Sequence, residues 1–386
     1  MSPEPPLLIF NSWRDIPDMS HLDSNSRPIS ISGAYSETNA PHESLRVSST
    51  DARHDRRRTR VAIVSAIFVI CLFDFRLFRY LHLDQIYSIL DIPRQIYEGT
   101  PHWRAFQNRV LVPYAVAGVV KAFHVRPREA ALLVYFLLTF VGNVVAYRFL
   151  KSLRPSNPGQ EVLRDLVVFN FLIFGISHNW FYPWDFGEII LPCLLLMMVR
   201  QPEMSVLKFA ALFVVWILNR ETGILLGAWL VVDAIVRPYQ KWKKLIMGVV
   251  MMTVGLLVVY ELRTILFKES SLPGVGLDLE TRVLGGNHFC LPLNADYLLK
   301  MELYSKEVFN VLILLALGAF AWAFRRGIRK DLSVFALMLL MFASDVTFGG
   351  IQEMRVFYHL IPFVFFFAYG GGRRTPAEIG RATGQR

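Results

Sequence analysis

Apolar runs of 13 to 23 residues follow one another along this chain from Val61 to Tyr369, and most are separated by short polar stretches rich in Lys and Arg. A run of this kind needs a water-free surrounding over most of its surface. A single soluble core cannot supply that eleven times over. The runs cover 61–73, 110–123, 130–149, 165–177, 187–199, 206–218, 223–236, 244–266, 307–324, 332–348 and 355–369. Hydrophobic residues make up 54% of the 386 positions and mean hydropathy is +0.38. The pattern predicts an all-α, polytopic helical membrane protein with ten or eleven membrane segments, one or more of them short or broken. A membrane barrel would show alternating segments of about ten residues, which the sequence lacks.

Charge placement orients the expected spans. Residues 1–55 are rich in Ser, Pro, Asp, Glu and Arg and read as a disordered tail ending in "RHDRRRTR". Basic clusters recur at "KSLRPSNPGQEVLR" (151–164), "RPYQKWKK" (237–244), "RRGIRK" (325–330) and "GGRR" (371–374). The excess of Lys and Arg marks these as cytoplasmic, both termini included. The expected organisation is a tail over 1–55, a helical membrane domain over 56–372 with external loops at 74–108 and 268–306, and a second tail over 373–386. Eleven full crossings would leave the termini on opposite sides. The run 110–123, short and carrying Pro113 and Lys121, is therefore expected not to cross fully. The formal charge of +10 is explained by these loops and calls for no nucleic-acid partner. Three cysteines show neither metal-ligand nor disulfide spacing, and the first 25 residues carry no signal-peptide pattern.

Working outwards from the basic clusters, five polar segments fall on the external face: 74–108, 178–186, 219–222, 268–306 and 349–354. They hold Asp74, Asp84, Asp91 and Arg109; His178, Tyr182, Asp185 and Glu188; Arg220 and Glu221; Glu280, Arg282 and His288; and Glu353 and Arg355. Each taken alone has an ordinary reading. An Arg–Glu pair at a helix end snorkels or ties two helices together. Trp180 and Trp184 suit an interfacial aromatic belt. His178 suits a structural interface residue, and Glu280 and Arg282 a solvated turn. Their gathering on one face, from segments far apart in sequence, predicts instead a polar cavity that opens outwards.

The stretch "WILNRETGILLGAW" (216–229) locates that cavity's floor. As one helix, residues 206–236 would extend about 46 Å, too long for a hydrocarbon core of about 30 Å. A hairpin of two short helices is expected, with Arg220 and Glu221 as a charge pair at its tip and Asn219 and Thr222 satisfying the turn's backbone. Arginines give a bidentate grip on phosphate, and a carboxylate can take the proton of an attacking hydroxyl. That combination fits transfer of a sugar from a lipid phosphate.

"DQIYSILDIPRQIYEGTPHWRAFQNRVLVP" (84–113) resembles the first external loop of bacterial polytopic glycosyltransferases of the GT-C superfamily, through Asp84, Tyr87, Gly99, Arg109 and Pro113. "FYPWDFGEIILPCLLL", "LNRETGILL" and "EMRVFYHLIPFV" resemble segments that recur in proteins placed loosely in that group. The resemblance implies a polyprenyl-phosphate-linked sugar as donor and a glycan, lipid or protein acceptor reaching the external face of a bacterial inner membrane. It implies Asp84 as the catalytic acid, acting as base or helping to bind a divalent metal ion, and Arg109 facing the donor phosphate. His178, Asp185, Arg220, Glu221, Glu353 and Arg355 complete the candidate substrate-binding set. Three rival readings stand beside this one: a transporter or flippase of a lipid-linked or anionic glycan, a polysaccharide polymerase or ligase, and a non-catalytic scaffold. Charges placed in mid-span would favour the transporter. Here most of the charges, Lys121 and Asp233 aside, are expected near the external edge.

Overall fold

The structure of the chain is a computed structural model that describes residues 49–81, 86–99, 109–176, 182–201, 205–237, 239–262, 264, 290–292, 294–295, 332–349 and 357–369. Every regular element among them is helical: α1 (Ser49–Leu81), α2 (Ile86–Tyr97), α3 (Leu111–Phe123), α4 (Pro127–Leu153), α5 (Gly159–Ile176), α6 (Gly187–Val199), α7 (Val206–Asn219), α8 (Ile224–Val236), α9 (Lys241–Glu261), α10 (Leu332–Phe348) and α11 (Leu360–Ala368). Ten of the eleven expected apolar segments coincide with one of these helices. The run 307–324 lies outside the described residues.

Length divides the helices into two kinds. Arg57–Tyr80 of α1, all of α4 and all of α9 hold 24, 27 and 21 residues and are apolar enough to cross a bilayer. At ~1.5 Å per residue they extend about 36, 40 and 32 Å. By contrast α3, α6, α7 and α8 have 13, 13, 14 and 13 residues, about 20 Å each. The shortness expected of 110–123 is therefore found in α3, and α6 shares it without having been singled out. The 206–236 stretch is the expected hairpin, α7 and α8 joined by a 3-10 turn at Glu221–Gly223.

Close approach of backbones sets the packing of the short helices. A Cβ on Gly227 of α8 would stand 2.7 Å from the carbonyl oxygen of Gly248 on α9, and one on Gly248 equally close to that of Gly227. Glycine at both positions lets the two helices touch. Phe209 of α7 stacks on Trp229 of α8, ring centroids 5.8 Å apart. The turn ahead of α6 rests on the middle of α4, where Gly142 leaves room for Phe186 and Ile190. Phe335 of α10 meets Phe367 of α11, and Phe365 of α11 meets Phe169 of α5. The faces turned outwards on α1 (Val64, Phe68, Val69, Leu72) and α9 (Val250, Val254, Leu257) are apolar.

Asp74 does not belong to the loop assigned to it. Helix α1 continues to Leu81 and buries Asp74, whose Oδ2 accepts from Asn143 Nδ2 of α4 at 2.9 Å and Asn170 Nδ2 of α5 at 3.1 Å. Two amides from other helices satisfy the acid, so it can stay inside. The rest of that expected loop includes α2, which lays Ile89, Leu90, Ile92 and Ile96 against the protein and is clamped by Arg128 of α4. Arg128 reaches both oxygens of Asp91, at 2.7 and 2.5 Å, while its guanidinium lies 5.1 Å from the Tyr87 ring. In the second expected loop, Asn294 donates to Val346 O at 2.6 Å and to Gly349 O at 2.8 Å, closing the end of α10.

Candidate functional site

Helix ends converge on one buried place. α7 finishes there with Asn219, and α10 brings Asp345 in its last turn. Four other helices begin there: α3 just after Arg109, α6 with Glu188 in its first turn, α8 after the Glu221–Gly223 turn, and α11 just after His359. A main-chain hydrogen bond from Val110 N to Leu218 O, 3.0 Å, ties the start of α3 to the end of α7. The convergence lies level with the middle of α4, through the contact of Gly142 with Phe186. Helix starts expose N–H groups and positive partial charge, so the place favours anions and acidic side chains.

Glu188 is the hub. Its Oε1 accepts from Asn219 Nδ2 at 3.0 Å. Its Oε2 stands 3.7 Å from Arg220 Nη1 and 3.7 Å from His359 Nδ1. The other ring nitrogen of His359 is 2.9 Å from Asp345 Oδ2. Neither nitrogen is aligned for a hydrogen bond with these oxygens. Four charged or chargeable groups from four segments are thus in ion-pair range away from water. The side chains of Glu188, His359 and Asp345 are 1%, 1% and 2% exposed; that of Arg220 is 11% exposed. Arg220 is the least enclosed member of this group.

The turn before α6 supplies the wall. Pro183 opens it, and Tyr182 N–H donates to Asp185 Oδ2 at 2.9 Å, so the acid caps its own turn. Tyr182 and Trp184 stack with centroids 4.8 Å apart, and the Arg109 guanidinium lies 5.5 Å from the Trp184 ring. Asn219 also reaches Trp184 O, at 3.3 Å.

Of the residues expected at the site, the structure gathers Arg109, Asp185, Arg220 and Glu221. Asp84, His178, Glu353 and Arg355 lie outside the described residues, as do Trp180, Glu280, Arg282 and His288. Two expectations are corrected, and a third gains a partner: Arg220 Nη1 stands 3.7 Å from Glu188 Oε2, and the charge of the adjacent Glu221 acts on the same guanidinium. Asn219 does not serve its own turn but crosses to Glu188 and Trp184. Trp184 is not in an interfacial belt; it is buried between Tyr182 and Arg109.

Asp345 and His359 were not anticipated, and Glu188 was noted without its central place. The available signals were a lone acid inside the otherwise apolar "LSVFALMLLMFASDVTF" and a histidine entering "LIPFVFFF". Among the described residues no group of three or more His, Cys, Asp or Glu could hold a metal ion. Comparison with protein-family models, with curated proteins and with solved structures finds no match to this chain.

Proposed function

We propose that the chain is a membrane-embedded glycosyltransferase of the GT-C type, moving a sugar from a polyprenyl-phosphate donor to an acceptor hydroxyl at the external face of a bacterial inner membrane, with both termini in the cytoplasm. The observation that carries the proposal is the placing of Arg109 and Arg220 on neighbouring segments, tied by the Val110–Leu218 hydrogen bond, among the starts of four helices. Guanidinium groups and helix N-termini suit a phosphate. The apolar outer faces of α1 and α9 and three helices of crossing length support residence in a bilayer.

In this scheme the acceptor oxygen bonds to the anomeric carbon as the bond from that carbon to the phosphate oxygen breaks. The lipid phosphate leaves with the electron pair, and its negative charge is met by Arg109 and Arg220. The acceptor's proton goes to a carboxylate, for which Asp84 is the candidate through the resemblance of its loop. The test is incubation of membranes with a radiolabelled polyprenyl-phosphate sugar. Arg220→Gln and Asp84→Asn should each lose transfer while the protein remains folded. Transfer at the wild-type rate in both variants sinks the scheme.

A second reading has its own support. Glu188, Arg220, Asp345 and His359 sit level with the middle of α4, not at an edge, as charges lining a translocation pathway do. A transporter or flippase of a lipid-linked glycan would move a fluorescent polyprenyl-phosphate glycan between leaflets of proteoliposomes, with no sugar released. Transfer of long glycans in the same assays would point to a polymerase or ligase.

A further inference from the structure

Glu188 Oε2 is a buried carboxylate oxygen with two rival bases at equal distance, Arg220 Nη1 at 3.7 Å and His359 Nδ1 at 3.7 Å, and hydrogen-bonded to neither. Its other oxygen is already engaged by Asn219. The two rivals differ in enclosure. The Arg220 side chain is 11% exposed and follows extended backbone at the end of α7. His359 is fully enclosed, its Nε2 2.9 Å from Asp345 Oδ2 and its Nδ1 3.7 Å from Glu188 Oε2. A buried carboxylate left without a counter-charge is strongly destabilising. Histidine is the side chain in contact with it that can change charge near neutral pH.

We propose that Glu188 exchanges counter-ions when an anionic ligand binds: Arg220 turns from Glu188 to the ligand's phosphate, and His359 takes a proton from solvent at Nδ1 and replaces it. Among the described residues, the other charged groups acting on the exchange are Asp185 from the turn before α6, Glu221 from the turn before α8 and Asp345 from α10. All three are acids, so departure of Arg220 towards a ligand leaves a deficit that a proton can fill. The protein–ligand complex then holds one more proton than its separated parts. This rests on the reading that a lipid phosphate binds at Arg220, and it adds that binding is coupled to proton uptake.

The test is calorimetric titration of the purified protein in detergent micelles with a short-chain polyprenyl phosphate, in two buffers of different ionisation enthalpy. At about pH 8 the phosphate is already a dianion and contributes no proton of its own. Wild type should take up about one proton per ligand bound, the stoichiometry of a single linked group. His359→Gln should bind more weakly with no uptake, and Arg220→Gln should likewise lose both affinity and uptake. Binding by wild type without proton uptake overturns the exchange, as does equal uptake in His359→Gln. The wild-type titration decides by itself should that variant fail to fold. Absence of any binding by wild type removes the lipid-phosphate reading and the exchange together, whereas binding without uptake removes the exchange alone.

Discussion

Asn219 donates its Nδ2 hydrogen to Glu188 Oε1 at 3.0 Å, joining the last residue of α7 to the first turn of α6 across 31 positions of sequence. Both side chains are buried. A charged acceptor in such a place loses its partner at full desolvation cost. Asn219→Leu keeps the volume but removes the donor, and is expected to destabilise the protein by about 1–3 kcal/mol. Thermal unfolding of the detergent-solubilised variant measures it. An unchanged midpoint would mean that Glu188 is held well enough by Arg220 and His359 alone.

Gly187 is required by the same contact. A Cβ there would come within 2.5 Å of Asn219 Nδ2 and 2.6 Å of its Oδ1. Because Asn219 is fixed by Glu188 and Trp184 O, it cannot simply swing aside. Gly187→Ala should cost about 1–3 kcal/mol, the usual range for overpacking. Truncating the obstacle should help. The double variant Gly187→Ala/Asn219→Ala should be less destabilised than the sum of the two single changes, a coupling that a double-mutant cycle reads directly.

The clamp on α2 should respond to acid. The Arg128 hydrogen bonds hold Asp91 below the usual carboxylate range against the cost of its partial burial, and the Arg128 and Arg94 charges add to the lowering. A depressed folded-state pKa stabilises above the unfolded-state value, about 3.9 for Asp, and that contribution fades as the pH falls through the folded-state value. Wild type should therefore melt above Asp91→Asn at neutral pH, with the two curves converging below about pH 4. The pair is partly exposed, so added salt should narrow the neutral-pH gap as well. A gap that persists in acid would assign the role of Asp91 to packing rather than to its charge.

How much of this was legible beforehand depended on whether a feature was local. The α7–α8 hairpin followed from length and flanks, since the 31 residues of 206–236 fit a bilayer better folded than straight and both flanks read as cytoplasmic. The shortness of α3 followed from the length of the apolar run 110–123 itself. Asp74 misled because an acid at the end of an apolar run marks a span boundary unless something inside satisfies it. Here Asn143 and Asn170 do so, from helices that start 53 and 85 positions later. Trp184 misled in the same way, since aromatic clusters beside Pro and Asp usually lie at an interface. Asp345 and His359 are separated by 14 residues and meet only because α10 and α11 run antiparallel, with Phe335 against Phe367 at the far end. No periodicity encodes that meeting. What the sequence did show was that polar residues recur where apolar runs break, and four of those breaks form the site.

Asp233 and Lys244 form a second buried ion pair, between α8 and α9, and it can be tested against the glycine contact beside it. Lys244 Nζ is 2.7 Å from Asp233 Oδ2 and 3.4 Å from Arg237 O, while Arg237 Nε lies 3.7 Å from Asp233 Oδ1. Asp233 and Lys244 are almost wholly enclosed. The pair sits at the connected end of the α8–α9 hairpin, on the turn side of Gly227 and Gly248, which bring the two helices into contact. Lys244→Met fills similar space without the charge and takes from Asp233 the cation that stands 2.7 Å away. Breaking one side of a buried pair costs about 3–5 kcal/mol, whereas replacing both sides by apolar groups is often neutral. Lys244→Met should therefore lower the melting temperature strongly, and Asp233→Leu/Lys244→Met should recover most of the loss. If the double variant is as unstable as the single one, the charges do more than neutralise each other, and the α8–α9 contact depends on the hydrogen bond from Lys244 to the Arg237 carbonyl.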